Sequence, residues 1–267
     1  MIKPIRTFGR RVLEQAGLIG IYYRWVESRV PVPADVEIDD GRPLPPGRLI
    51  TLVGGGPGAR WFSERGQADA ALFGDLARLA GIDIFAGAAV LDFGCGSGRI
   101  ARWLAPEVVA GGGRFFGTDI NPKLVAWCAA NLPGQYRRNA LRPPAPIESG
   151  AVDCLYAQSV LTHLTEETAG AWLADFARVL RPGGCAIVTF HDEDYASAWA
   201  PAELQGRFPR EGYVVHNNAL EGSNYMSSWI TRRHFTDMAA ARFEIVELTP
   251  GRTDFPIQAL AVLRARG

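Results

Sequence analysis

The stretch Ala89-Val90-Leu91-Asp92-Phe93-Gly94-Cys95-Gly96-Ser97-Gly98-Arg99 constrains what this chain can fold into more than any other. Val90, Leu91 and Phe93 read as a short buried strand. Gly94, Gly96 and Gly98 then form a turn that feeds the amphipathic run Ile100, Ala101, Trp103 and Leu104. Glycines at alternate positions let the backbone turn sharply and admit a ligand where a Cβ would collide, while the new helix offers unpaired N–H groups. The arrangement is that of a nucleotide-type cofactor site.

Spacing narrows the choice of cofactor. A dinucleotide fingerprint needs G-x-G-x-x-G; counted from Gly94 and Gly96 its third slot is Arg99, and glycine comes one place early at Gly98. No Gly-Lys-Ser or Gly-Lys-Thr closes the turn as a phosphate-cradling loop requires. The chain of 267 residues suits one large domain, or one domain with an extension. Its 48% of hydrophobic residues supply a core, and a formal net charge of zero gives no general pull toward nucleic acid. Cys95, Cys128, Cys154 and Cys185 are widely spaced, form no C-x-x-C pair and sit in or beside apparent core elements. They are expected to be reduced and buried, which points to the cytoplasm.

Residues 1–30 carry Lys3, Arg6, Arg10, Arg11, Arg24 and Arg29 against Glu14 and Glu27. The apolar stretch from Leu18 to Tyr23 is too short to span a membrane and lacks a cleavage signature for export. Phe8, Val12, Leu13 and Ala16 fit a short amphipathic helix, expected to pack on its own domain, with peripheral contact to anionic lipid or a partner as the alternative. Five prolines and the acids Asp35, Glu37, Asp39 and Asp40 between Pro31 and Pro46 read as an extended connection. The expected division is therefore an N-terminal helical extension and linker over residues 1–45, with the main domain over 46–267. Leu49–Val53 reads as a strand, and Gly54–Gly58 as a flexible turn. Leu72, Leu76, Leu79 and Ala80 mark a helical face ended by Gly81.

Beyond the glycine turn, strands and helices alternate as a parallel α/β sheet requires. Phe115–Ile120 is the second strand, and Asn121-Pro122 caps and opens a helix. Asp119 thus stands at a strand's carboxyl end about twenty residues past the turn, where a carboxylate can accept from two ribose hydroxyls. Tyr136–Asn139 and Ala151–Ala157 read as strands three and four. Thr165 is a helix cap followed by Glu166 and Glu167, and Trp172, Phe176 and Val179 form the helix's buried face. Arg181-Pro182-Gly183-Gly184 stops that helix and turns into a fifth strand, Cys185–Phe190.

Val90–Arg99, Phe116–Asn121, Asp153–Leu164 and Val179–Thr189, in this order and spacing, resemble the class I S-adenosylmethionine (SAM) dependent methyltransferases of the broad small-molecule type. Leu180-Arg181-Pro182-Gly183-Gly184 before a strand is among that family's most recognisable marks, and Phe243–Val246 with Gln258–Arg264 resemble its last two strands. The resemblance implies a Rossmann-like three-layer α/β sandwich with a seven-stranded, mostly parallel sheet whose last strand is antiparallel. It also implies SAM as cofactor. Gly94, Gly96 and Gly98, with Cys95 among them, would approach the methionine moiety, and Asp92 would help organise its ammonium group. Asp119 would hold the ribose, Ile120 would lie against adenine, Asn139 and its neighbour Ala140 would lie near the adenine amino group, and Gln158 and Ser159 would border the sulfonium.

Methyl transfer chiefly requires alignment, but a weakly acidic hydroxyl acceptor benefits from a base. His163, after the fourth strand, and His191, at the end of the fifth, are the catalytic expectations. His191 is favoured because the sheet's carboxyl edge binds the ligands. The cluster His191-Asp192-Glu193-Asp194 reads as a solvated loop, and no metal is expected. Residues 193–240 contain Tyr195, Trp199, Phe208, Tyr213, Tyr225 and Trp229 and are read as a lid or insertion for a small acceptor. The edge Ala157-Gln158-Ser159-Val160 lacks the Asn-Pro-Pro-Tyr element of many enzymes that methylate base or amide nitrogens. The expected reaction is methylation of a hydroxyl, or less readily an amine, of a small molecule or glycan. The alternatives are a protein or nucleic-acid methyltransferase, and a SAM-binding partner protein without turnover.

Overall fold

Every residue of Ala89–Phe93 is buried, as a strand covered on both faces must be. In the computed structural model this segment is β1, an interior strand of a seven-stranded sheet. The structure describes residues 38–54, 58–254 and 257–267, together with Leu13, Leu18, Ile21, Tyr22, Trp25 and Arg29. The amphipathic face expected around Phe8 and Val12, the connection over 31–37 and the tip of the 54–58 turn lie outside the described residues.

Helices α1 (Gly47–Gly54) and α2 (Ala59–Leu79) precede β1. After it come α3 (Ala101–Ala110), β2 (Arg114–Asp119), α4 (Pro122–Asn131), β3 (Gln135–Arg138) and β4 (Val152–Ala157). A 3-10 turn at Leu161–His163, α5 (Glu166–Val179) and β5 (Leu180–Phe190) come next. The segment after β5 holds α6 (Glu193–Trp199), the single turns α7 (Ala202–Gln205) and α8 (Phe208–Glu211), the hairpin strands β6 (Tyr213–His216) and β7 (Ser227–Ile230), and α9 (Arg232–Ala240). Strands β8 (Phe243–Thr249) and β9 (Ala259–Ala265) end the fold.

The strand order is β3-β2-β1-β4-β5-β9-β8. All pairs from β3 to β5 are parallel, and β9 runs antiparallel to both β5 and β8. Alternation along the strands divides the core into two layers. On one face Leu91, Phe93, Leu155 and Val188 pack with Trp172 and Phe176 of α5; on the other, Val90, Tyr156 and Ile187 pack with Phe73 of α2 and Leu104 of α3. Phe93 meets Trp172 at 4.5 Å and Phe176 edge-on at 4.8 Å, so truncating Phe176 to alanine is expected to cost about 3–5 kcal/mol. Cys154 and Cys185 are register partners on β4 and β5, and Cys95 and Cys128 both approach the Gly96 carbonyl. All four thiols are free and buried.

Three local expectations need correction. Leu49–Val53 is not a strand but the body of α1, because the run's apolar residues also fit a helical face; Ile50 and Thr51 are buried, and Thr51 Oγ1 donates to the Gly47 carbonyl at 3.0 Å. Arg181–Gly184 does not stand outside the fifth strand. The chain pairs Leu180 with Val152, makes an excursion, and pairs Cys185 with Cys154. His191–Asp194 is no solvated loop: Asp192 is fully buried, caps α6 by accepting from Tyr195 N at 3.0 Å, and with Glu193 and Asp194 surrounds the Arg232 guanidinium.

The connection before α1 is bound tightly to the domain. Arg102 of α3, completely buried, donates to Asp40 Oδ1 at 2.6 Å and Oδ2 at 2.8 Å, and to the carbonyls of Pro43 and Arg42. Burial would raise the Asp40 pKa, but bonds from Arg102 and Ser63 outweigh it and hold the carboxyl at about 2.

Candidate functional site

The carboxyl ends of β1, β2, β4 and β5 open into a cavity of about 1780 Å³, beyond the usual range for one small ligand. Gly94, Gly96, Asp119, Ile120, Asn139, Ala140, Gln158, Ser159 and His163 all line it. α1 roofs the glycine turn: Ser97 Oγ donates to the Leu49 carbonyl at 3.3 Å, and Asn224 Nδ2 donates to the Leu52 carbonyl at 2.7 Å.

Gly94 has a φ of +80°, and a Cβ there would come within 2.4 Å of Val160 Cγ2, so the turn and the segment after β4 touch only because a side chain is missing. The N–H groups of Gly94 and Cys95 both bond the Thr118 carbonyl, which fastens the turn to β2. Asp119 then ties the two strand ends together, Oδ2 accepting from Gly96 N at 2.9 Å and Oδ1 from Asn121 N at 2.7 Å. Burial raises its pKa while these backbone bonds pull the other way.

Four expected residues stand behind the wall. Asp92 is 2% exposed and lies beside the Tyr156 hydroxyl, yet Asp92 Oδ2 and Tyr156 Oη have no partner at hydrogen-bonding geometry. Burial pushes the Asp92 carboxyl up to about 7. The Cys95 thiol points toward Cys128, and hydrogen bonding there together with burial raises its pKa. Gly98 serves helix packing, since a Cβ would meet Leu132 Cδ1 at 2.5 Å. His191 is 7% exposed, stacked on Tyr195 with ring centroids 4.1 Å apart. Its Nδ1 faces the Ser228 carbonyl at 3.0 Å and its Nε2 the Gln258 amide nitrogen at 3.3 Å, while burial lowers its pKa to about 3. With its basic nitrogen engaged and its pKa so far down, His191 is not the free base that its place after β5 suggests.

His163 differs. Its Nδ1 is 2.7 Å from the Met226 carbonyl, which can only accept, so the proton is on Nδ1 and Nε2 keeps a lone pair. Burial lowers its pKa, so that lone pair stays unprotonated at neutral pH. Asn139 is fixed by N–H donation to the Asp119 carbonyl and Nδ2 donation to the Ala140 carbonyl, and its buried Oδ1 has no partner. A cavity wall with an unpaired amide oxygen and a carboxylate at the end of β2 fits an adenosine, whose amino group and ribose hydroxyls are donors. The fit therefore holds on the donor and acceptor set.

Of the aromatic residues in the segment after β5, Tyr195 lines the cavity, whereas Phe208 and Trp229 pack with Leu204 and Val214 in a small core of their own. Sequence reasoning missed Thr189, Asn224 and Gln258, which also line the cavity. Gln258 was legible in principle: a final antiparallel strand begins where its parallel neighbour ends, and Ala259 indeed pairs with Phe190. Among the described residues no cluster of three or more His, Cys, Asp or Glu side chains could hold a metal ion. Among them, no helix is long and apolar enough to cross a membrane.

Comparison with known proteins agrees with this geometry. A family model described as a methyltransferase domain matches residues 90–184. An uncharacterized 37.1 kDa protein in transposon TN4556 of Streptomyces fradiae is 31% identical over 137 residues, covering 50% of this chain and 39% of that protein. The chain thus spans about two fifths of the length of that relative. An S-adenosylmethionine dependent methyltransferase from Mesorhizobium loti superimposes with a TM-score of 0.55 at 19% identity, over 70% of this chain and 95% of that one. Magnesium protoporphyrin IX methyltransferase from Synechocystis PCC 6803, solved with bound SAH, gives 0.50 at 16% identity over 98% and 100%. At such identities the likeness to solved structures is one of fold.

Proposed function

We propose that this chain, whose residues 90–184 form a class I SAM-dependent methyltransferase domain, transfers a methyl group to a hydroxyl of a small molecule or glycan. SAM is the cofactor, and when bound it supplies an electrophilic methyl on a sulfonium that leaves as S-adenosylhomocysteine (SAH). The observation that carries the acceptor reading is the His163 imidazole. Its tautomer is set by the Met226 carbonyl, and its Nε2 lone pair belongs to a residue of the same cavity wall as Gly94 and Ser159.

In this reading Asp119 accepts from the ribose hydroxyls and Asn139 Oδ1 from the adenine amino group, with Ile120 as an apolar wall. Gly94 and Gly96 leave main chain bare for the methionine moiety, and the unpaired Asp92 Oδ2 behind them contributes negative charge toward its ammonium. His163 Nε2 takes the proton of the attacking hydroxyl. α1 and the Asn224 side chain roof the cleft and exclude water. The volume of about 1780 Å³ leaves space for an acceptor beside the cofactor, which favours a small molecule over a macromolecular surface.

The test is incubation of the full chain with methyl-labelled SAM and pools of small hydroxylated compounds and glycans, read by product mass. A product heavier by one methyl with the label on oxygen supports the reading. Transfer only to protein or nucleic acid, or SAH binding with no transfer to any pool, rejects it.

A further inference from the structure

At the cavity wall, polar side chains from two other stretches of chain converge on Gln258. Its Nε2 donates to Ser159 Oγ at 2.7 Å and lies 3.3 Å from His191 Nε2, while its Oε1 accepts from Thr189 Oγ1 at 2.6 Å. Thr189 Oγ1 accepts in turn from Ser159 N at 2.7 Å. Because the Ser228 carbonyl can only accept, His191 carries its proton on Nδ1 and offers a lone pair at Nε2. Only a donor satisfies that lone pair, so the two N–H groups of one amide are both in use, one on Ser159 and one on His191.

Ser159 has a φ of +58°, in the left-handed region that a residue with a side chain rarely occupies. That conformation sets the course of the chain from Val160 to His163. Val160 presses on Gly94, Thr162 Oγ1 donates back to the Ser159 carbonyl at 2.9 Å, and His163 N donates to the Val160 carbonyl at 3.0 Å.

We propose that Gln258 is a positioning residue: oriented by His191 and bonded to Ser159 both directly and through Thr189, it clamps Ser159 in the left-handed conformation, and thereby sets the cofactor cleft at Gly94. This rests on the cleft being the SAM site. The titratable groups packed around His191 are His163 and the stacked Tyr195; Asp192 is turned away to Arg232 and Gly251 N.

The experiment measures SAH affinity of the full chain by calorimetry, with histidine ¹⁵N spectra of the ligand-free protein as a second readout. Gln258→Ala is expected to weaken SAH binding about 10-fold, the scale of a lost buried hydrogen-bond partner. In a Ser159→Gly background, where a left-handed φ needs no clamp, the same change should cost less than about 3-fold. Gln258→Glu replaces a donor by an acceptor opposite the His191 lone pair. Its loss relative to wild type should be about 10-fold greater near pH 8 than near pH 6, where protonating the imidazole restores the bond. The spectra should show His191 neutral in wild type and protonated near pH 6 in Gln258→Glu. Equal losses in both backgrounds, or a Gln258→Glu protein that tracks wild type at both pH values, would overturn the proposal. If Gln258→Ala fails to fold, Gln258→Glu and the spectra decide it, an unchanged His191 signal counting against. Wild type that binds no SAH would overturn the cofactor reading, with the clamp still read from the spectra.

Discussion

One carboxylate oxygen of Asp119 holds the main-chain N–H of Gly96 at 2.9 Å, so the end of β2 and the glycine turn after β1 move as one piece. The same carboxylate is the expected ribose partner. Asp119→Ala therefore removes a ligand contact and frees the turn, and is expected to weaken SAH binding about 100-fold, with Asp119→Asn in between because an amide keeps one acceptor. Calorimetric titration checks the order; equal affinities for all three proteins would count against it.

Asp92 makes binding depend on protons. With its pKa raised by burial to about 7, the folded protein keeps a proton between about pH 4 and pH 7 that the unfolded chain has already released. Stability contributed by this group therefore falls as pH rises through that window and levels off above it. Asp92→Asn should remove the slope and raise the melting temperature of the ligand-free protein at pH 8 more than at pH 5. A ligand ammonium near the carboxyl favours its ionised form, so SAH binding near pH 7 should release a fraction of a proton. Titrations in buffers of different ionisation enthalpy measure that release, and Asp92→Asn should abolish it.

His163 and His191 are expected to separate in solution. His163→Ala should keep SAH affinity within a few-fold but slow transfer to a hydroxyl acceptor by about 100-fold, the scale of a lost general base. Because burial lowers the His163 pKa, the neutral form persists below the usual histidine range. The wild-type rate should hold as pH falls through 6.5 and drop only at more acid values. A pH–rate profile with a limb at 6.5 or above would argue against this base.

The Arg102–Asp40 pair predicts where the chain cannot be cut. Removing Asp40 leaves a fully buried guanidinium with fewer partners, so Asp40→Ala should cost on the order of 3 kcal/mol in urea unfolding. Removing residues 1–45 also deletes the Arg42 and Pro43 carbonyls and should cost more. Since the Asp40 pKa is held at about 2, its contribution is present above about pH 4 and is lost as pH falls toward 2.

The central sheet was legible because β1, β2, β4 and β5 each carry an apolar run closed by a turn, and because Asn121 and Thr165 are caps whose side chains do accept helix N–H groups. α1 was not, since apolar residues at Leu49, Ile50, Leu52 and Val53 suit a strand or a helix equally, and only docking against the glycine turn chooses. His191 was placed correctly along the chain, but its chemistry depends on Ser228, Tyr195 and Gln258, which reach it from other elements. Gln258 touches Ser159 across 99 positions of sequence, a separation that no local pattern reports.

The four buried thiols give the protein built-in reporters of opening. No thiol reagent can reach Cys154 or Cys185 at the middle of the sheet until the helical layer packed over β4 and β5 lifts, so their labelling rate measures opening of the core. Cys95 lies in the glycine turn and needs only that turn to lift. A bound ligand resting on Gly94 and Gly96 would slow the reaction of Cys95 more than that of the sheet pair. A chemist could then follow occupancy of the cleft from alkylation alone, without knowing the acceptor.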